Sequence, residues 1–205
     1  MKKPATLISI IFHPLLLPTF VFVLLGYLYP YFNTPYNSKF FLETVSFIFL
    51  CTFLFPSVAI YAMYKWGVIS DVVLSEKHER PYPMGLTGLM YLVFGKVLFE
   101  KIGIDDTFVH MVYFIGVLIL FAAAITYFWK ISAHALGVGG VCGFLVALNM
   151  QVLDNGMLTA LMVVFVISGL VMTARLVLKA HSQAQIYIGF LVGIVFGFLM
   201  STMFV

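Results

Sequence analysis

Long apolar segments constrain this chain more than any other feature of its sequence. Most of them approach the roughly 20 residues that a helix needs to cross the hydrocarbon core of a bilayer. The seven segments lie at residues 7–29, 43–64, 84–99, 107–129, 134–151, 157–178 and 184–204. Because lipid offers no partners for backbone N–H and C=O groups, a segment that crosses it must be helical. The sequence therefore predicts an all-α fold, a polytopic transmembrane helical bundle with six or seven membrane spans.

The composition excludes an ordinary soluble domain. The chain is 63% hydrophobic and only 9% charged, whereas an average soluble domain has about 25% charged residues. The net charge of +3 is small, so we predict no nucleic-acid partner and take the lipid bilayer as the partner. The connections between the apolar segments are brief, and we predict a single transmembrane domain over residues 1–205.

The N-terminus combines a short basic start with the first apolar segment. Lys2 and Lys3 resemble the charged start of a signal peptide, but no small-residue cleavage site follows the apolar run. We therefore expect residues 7–29 to be a retained first span.

Glycines crowd two of the apolar segments. They are Gly137, Gly139, Gly140 and Gly143 in the fifth segment and Gly189, Gly193 and Gly197 in the last. Small residues on one face of a helix allow a neighbouring helix to approach closely. We interpret these glycines as packing residues.

Basic residues are unevenly distributed between the two sides of the predicted bundle. If the seven segments alternate in direction, eight of the 11 Lys and Arg residues fall on the side of the N-terminus. Three polar clusters also fall there, at residues 77–81, 132–134 and 175–181, and each contains a histidine. Ionisable residues at the membrane edge are costly and usually functional.

The residue types in these clusters favour an anion. The planar guanidinium of arginine suits phosphate oxygens. Basic residues at span ends also serve as headgroup anchors or as topology signals under the positive-inside rule, which counts Lys and Arg. Neutral histidines carry no charge and do not contribute to that rule. We therefore predict functional roles for His134 and His181, and we interpret His13 and His110 as core or interface residues away from the charged face.

The order and spacing of these residues resemble the type 2 phosphatidic acid phosphatases, the lipid phosphate phosphatase superfamily. That family carries a Lys followed at a distance by Arg-Pro, then Pro-Ser-Gly-His, then Ser-Arg-x5-His-x3-Asp. Six residues of this chain match these motifs: Arg80 and Pro81 in the first, Ser132 and His134 in the second, and Arg175 and His181 in the third.

Two positions depart from the family pattern in ways that bear on activity. Val73 stands where the family has its first lysine. We expect Lys77, one helical turn before Arg80, to substitute for it. Gln185 stands where the family has the aspartate that holds the nucleophilic histidine. A glutamine carbonyl can accept the ring N–H, but it supplies no charge to the imidazolium.

The resemblance implies a phosphoric monoester or diphosphate hydrolase that acts on lipids through a phosphohistidine. His181 would be the nucleophile, His134 the general acid and base, and Gln185 the residue that orients His181. The residues that would hold the substrate phosphate are Arg80, Arg175, Lys77 and Ser132. The resemblance implies no metal and no other cofactor. It also implies a phospholipid or isoprenoid phosphate substrate and a multi-pass protein of the bacterial inner (cytoplasmic) membrane.

Two other functions remain open from the sequence. With Gln185 in place of the aspartate, the chain could be a catalytically inactive lipid-phosphate binding or transport protein. It could also be a structural protein whose basic face meets anionic lipid. Binding requires the arginines but not a pair of histidines, and a structural role predicts that His134 and His181 can be replaced with little effect.

Overall fold

The structure, a computed structural model, describes residues 2–28, 38–97, 106–152 and 155–204. In these ranges the regular structure is helical throughout and contains no strand. The α-helices are α1 (Lys2–Ile11), α2 (Leu17–Leu28), α3 (Ser38–Phe49), α4 (Phe55–Lys65), α5 (Pro81–Val97), α6 (Asp106–Phe128), α7 (Ala133–Val152), α8 (Asn155–Val177) and α9 (Gln183–Phe204). The predicted all-α fold is confirmed.

Five helical stretches of the described chain are long and apolar enough to cross a membrane. They are Phe40–Lys65, Phe108–Phe128, Ala133–Met150, Gly156–Val177 and Gln183–Thr202, and α2 is a shorter apolar helix. The first of them joins α3 to α4 through a π-helical turn at Leu50–Leu54. These five stretches match the second, fourth, fifth, sixth and seventh predicted segments, so the protein is a multi-pass membrane protein.

The first predicted span is not a continuous helix. A turn over residues 12–16 separates α1 from α2, and Pro14 lies in the middle of it. Proline has no N–H, and its ring clashes with the carbonyl four residues earlier, so it ends a helix. The turn has hydrogen bonds of its own: the Leu16 N–H donates to the His13 carbonyl over 2.8 Å, and the Leu15 N–H donates to the His13 Nδ1 over 3.3 Å.

The third predicted segment forms α5, which is 17 residues long. At 1.5 Å per residue these 17 residues extend about 25 Å. The helix packs along α6 at Gly88, where an added Cβ would lie only 3.0 Å from the Gly116 carbonyl oxygen. The fully buried Tyr91 hydroxyl donates to the Thr52 carbonyl over 2.8 Å, which ties α5 to the π-helical turn.

The chain divides into two compact units. The first contains Met1–Leu17 and Ile131–Val205, and the second contains Pro18–Lys130. In the first unit α7 packs against α8 and α9, and α1 packs against α8. The single domain over residues 1–205 stays a prediction.

Glycines set the close approach of α7 and α9 in the first unit. A Cβ added at Gly139 or Gly143 would overlap the backbone of α9, at the Phe190 and Ile194 carbonyls respectively. The glycines of α9 are equally restricted, because a Cβ at Gly193 or Gly197 would overlap carbonyl oxygens of α7. The interpretation of these glycines as packing residues is confirmed.

Candidate functional site

Five of the seven predicted site residues lie in the first unit, where three helix ends supply them. His134 is in the first turn of α7, Arg175 is in the last turn of α8, and His181 lies just before α9. Ser132 precedes α7, and Gln185 is in the first turn of α9. Arg175 and His181 are both close enough to act electrostatically on the His134 ring. The first unit therefore gathers both predicted catalytic histidines with one arginine.

The His181 ring is held in one tautomer by Gln185. The His181 Nδ1 and the Gln185 Oε1 are 3.2 Å apart. The same oxygen accepts the Ser182 N–H over 3.1 Å, which fixes the orientation of the amide. Because an amide oxygen only accepts, the Nδ1 must carry the ring hydrogen. In the neutral ring the Nε2 of His181 therefore keeps its lone pair, as a nucleophile requires.

Gln185 also has a local structural role. It is the last residue of Ser182-Gln183-Ala184-Gln185, which has the Ser-x-x-Gln pattern of a capping box at a helix N-terminus. The Gln185 N–H donates to the Ser182 Oγ over 3.3 Å, and the Gln185 side chain accepts the Ser182 N–H in return. One side chain thus both caps α9 and orients His181, and the capping pattern is readable from the sequence.

Ser132 is fully buried at the start of α7. Its Oγ accepts the Ala135 N–H over 3.4 Å, and its own N–H donates to the Gln185 backbone carbonyl over 3.3 Å. The residue therefore caps α7 and joins it to the start of α9. Its predicted contact with a substrate phosphate stays a prediction.

Arg175 presents a donor that has no partner within the described parts of the chain. Its Nε is buried and makes no hydrogen bond there, although the guanidinium as a whole is only partly buried. A buried donor without an acceptor costs about 1–3 kcal/mol, and more when the group is charged. An anion bound beside the histidines would supply the missing acceptor.

His13 is part of this cluster, contrary to the prediction that it lies away from the charged face. Its ring meets the His134 ring edge to face, with centroids 5.5 Å apart and an interplanar angle of 83°. Burial, and then the positive charge of Arg175, lower the pKa of His13 to about 4. The ring is therefore neutral at pH 7, which suits an Nδ1 that accepts the Leu15 N–H. The one sequence signal was a His-Pro pair that interrupts an apolar segment.

Lys77 and Arg80 lie in the second unit. The exposed Lys77 is in a short 3-10 turn, and its Nζ donates to the Phe128 carbonyl over 3.4 Å. Arg80 directly precedes α5 and is buried, with 7% of its surface exposed. Between them, Glu79 accepts the N–H and the hydroxyl of Ser70 over 2.8 and 2.9 Å, which orders the preceding loop. The phosphate-binding roles of Lys77 and Arg80 stay predictions.

Comparisons of this chain with protein-family models, with curated proteins and with solved structures found no match. The resemblance to the lipid phosphate phosphatases therefore depends on the short motifs alone. Function has to be argued from the chemistry of the site.

Proposed function

We propose that this protein is a membrane-embedded lipid phosphate phosphatase, which hydrolyses a phosphomonoester or diphosphate lipid through a phosphohistidine intermediate. The supporting observation is the state of His181. Its Nδ1–H is held by Gln185, so in the neutral ring the Nε2 keeps its lone pair, and the same compact unit contains His134 and Arg175. A nucleophile, an acid-base partner and an anion-binding group are the parts that phosphoryl transfer through a covalent intermediate requires.

In the first step the Nε2 of His181 attacks phosphorus while the bond from phosphorus to the lipid oxygen breaks. His134 gives a proton to that leaving oxygen, which becomes an alcohol or, from a diphosphate, a lipid monophosphate. Arg175 binds the phosphoryl oxygens, where negative charge develops in the transition state. Gln185 orients the imidazole by accepting its Nδ1–H throughout.

In the second step water releases the phosphate. His134 takes a proton from water as the water oxygen attacks phosphorus. The bond between phosphorus and the His181 Nε2 breaks, and inorganic phosphate leaves. The enzyme returns to its starting protonation state, so a single histidine serves as acid in the first step and as base in the second.

The surroundings of the site favour a lipid as the source of the phosphate. His134 and Arg175 both lie on helices long enough to span a membrane, and each is near the end of its helix. A headgroup at the membrane edge would meet them while its acyl or isoprenoid chain remained in the bilayer. We place the protein in the inner membrane of a bacterium as part of the same proposal.

Gln185 favours a second candidate, a lipid-phosphate binding or transport protein without turnover. The amide orients His181 but adds no negative charge to stabilise the imidazolium. Arg175 and the histidines could then hold a headgroup without cleaving it.

Phosphate release by the purified protein tests the proposal. The protein in detergent is offered phosphatidic acid, phosphatidylglycerol phosphate, an isoprenoid diphosphate and a lipid A phosphate. We expect phosphate release from at least one of them, and the substrate with the fastest release identifies the class of lipid phosphate that the protein hydrolyses. Saturable binding of a lipid phosphate without any release would instead support the second candidate.

Substitutions at Gln185 are expected to change turnover in opposite directions. Gln185→Glu keeps an acceptor near the position of Oε1 and adds a negative charge beside His181. We expect about a tenfold higher kcat, because the charge stabilises the imidazolium that forms during the reaction. Gln185→Leu removes the acceptor and should lower kcat by about 10- to 100-fold. Equal losses in both variants would contradict the orienting role.

A further inference from the structure

The N-terminal segment packs against α8 and contacts His134, the second of the two proposed catalytic histidines. The His134 Nε2 lies 3.0 Å from the Ser9 carbonyl oxygen, and Ser9 itself is buried. The His13 ring meets the same imidazole edge to face. Two features of the chain before residue 17 thus hold one side chain of α7, more than 100 residues away.

The Ser9 carbonyl decides which nitrogen of His134 is available for proton transfer. A carbonyl oxygen has no hydrogen to give, so the bond requires a hydrogen on the Nε2. That nitrogen stays bonded to Ser9 in both the neutral and the protonated ring. The proton that moves between His134 and the substrate must therefore come and go at the Nδ1.

His13 supplies the second restraint on the ring. Its Nδ1 accepts the Leu15 N–H, as a side-chain acceptor does in an Asx turn, so its own orientation is fixed by the backbone. Packed edge to face at 5.5 Å, it limits rotation of the His134 ring away from the Ser9 carbonyl. Arg175 also acts electrostatically on both rings.

We propose that His13 is a positioning residue for His134: together with the Ser9 carbonyl it holds the ring so that the Nδ1 serves as the general acid and base of the proposed phosphatase. The inference rests on that function. In the first step the Nδ1–H protonates the leaving oxygen as its bond to phosphorus breaks. In the second step the Nδ1 takes a proton from the attacking water. The Nε2–H of His134 remains hydrogen-bonded to the Ser9 carbonyl oxygen in both steps.

Two substitutions separate the ring contact from the turn. His13→Asn removes the ring but keeps a side-chain oxygen that can accept the Leu15 N–H, so it preserves the turn. His13→Phe keeps a ring against His134 but loses that acceptor. His13→Gln is measured beside His13→Asn, so that the test does not depend on the folding of one variant. His78→Asn is the matched control, since the His78 side chain is 75% exposed and lies in the other unit.

Comparing kcat for two esters with different leaving groups tests whether His13 acts through His134. Full-length variants are assayed in the same micelles with dodecyl phosphate, whose alkoxide needs a proton to leave, and with an alkyl-substituted nitrophenyl phosphate, whose leaving group does not. We expect His13→Asn to lower kcat for the alkyl ester by at least about tenfold and to lower kcat for the aryl ester much less. His13→Phe should keep the alkyl-to-aryl rate ratio near that of wild type.

Other outcomes overturn the inference in distinguishable ways. His13 would only stabilise the turn if His13→Asn and His13→Gln lowered kcat equally for both esters. The same conclusion would follow if His13→Phe lowered the alkyl-to-aryl ratio of kcat more than those two variants do. If the wild-type protein is active on the lipid panel and the alkyl-to-aryl ratio of kcat is unchanged in every His13 variant, the positioning role of His13 is overturned and the proposed function is not. No wild-type activity on any ester would overturn the proposed function, and the inference with it.

Discussion

Replacing His181 with alanine is expected to abolish phosphate release, with a fall in kcat of at least about 1,000-fold, because losing a covalent nucleophile removes the reaction path itself. His134→Ala should lower turnover of an alkyl phosphate by about 100- to 10,000-fold, the usual contribution of general acid-base catalysis. Both rates are measured as phosphate release from the preferred lipid of the panel.

The two histidine variants should differ in the intermediate that they form. With radiolabelled phosphate in an aryl ester, His134→Ala should accumulate an acid-labile phosphoprotein, since its second step lacks a base. His181→Ala should form none. His78→Ala is the control, because that side chain is 75% exposed and has no role in the proposed mechanism, and it should retain wild-type activity. Phosphate release by His181→Ala at the wild-type rate would rule out the phosphohistidine.

Substituting Gly197 is expected to cause a large loss of stability. A Cβ at Gly197 would overlap the Gly140 carbonyl, and backbone cannot move aside as a flexible side chain can. We expect Gly197→Ala to lower the free energy of unfolding by about 3 kcal/mol, near the upper end for overpacked cores. The loss is measured as a fall in Tm in detergent, and Gly143→Ala should behave alike.

Gly169 offers the matched control on a neighbouring helix. An added Cβ there has no atom within 4 Å, so Gly169→Ala should leave Tm unchanged or raise it slightly, because alanine favours a helix over glycine. Similar effects at Gly169 and Gly197 would show that helix propensity, rather than the contact between α7 and α9, governs these positions. Lower activity in Gly197→Ala is expected as well, since that contact joins Ser132 to Gln185.

The membrane spans followed from the sequence because hydropathy is a local property. Each of five predicted segments became a helix with ends within a few residues of the expected positions, apart from an N-terminal extension of the second. The first segment was harder to predict, because its division depends on one proline. Pro14 was visible inside the apolar run, but hydropathy alone does not say whether a proline bends a helix or ends it.

The local part of the site was also readable. His181 and Gln185 are four residues apart, one turn of helix, and Ser182 with Gln185 forms a recognisable capping pattern. Their hydrogen bonds are therefore close to what the spacing alone predicts. The close approach of α7 and α9 was likewise indicated by glycine spacing, although the sequence did not say which helix would be the partner.

The sequence by itself thus determined the helical membrane fold and the pairing of His181 with Gln185, because each depends on neighbours within one or two helical turns. Only the tertiary structure placed His13 and the Ser9 carbonyl on His134, across a separation of 125 residues in the latter case. No periodicity encodes such a contact. It depends on α1 packing against α8 and on α7 packing against both α8 and α9. Which helices pack together depends on the shapes of whole helix faces.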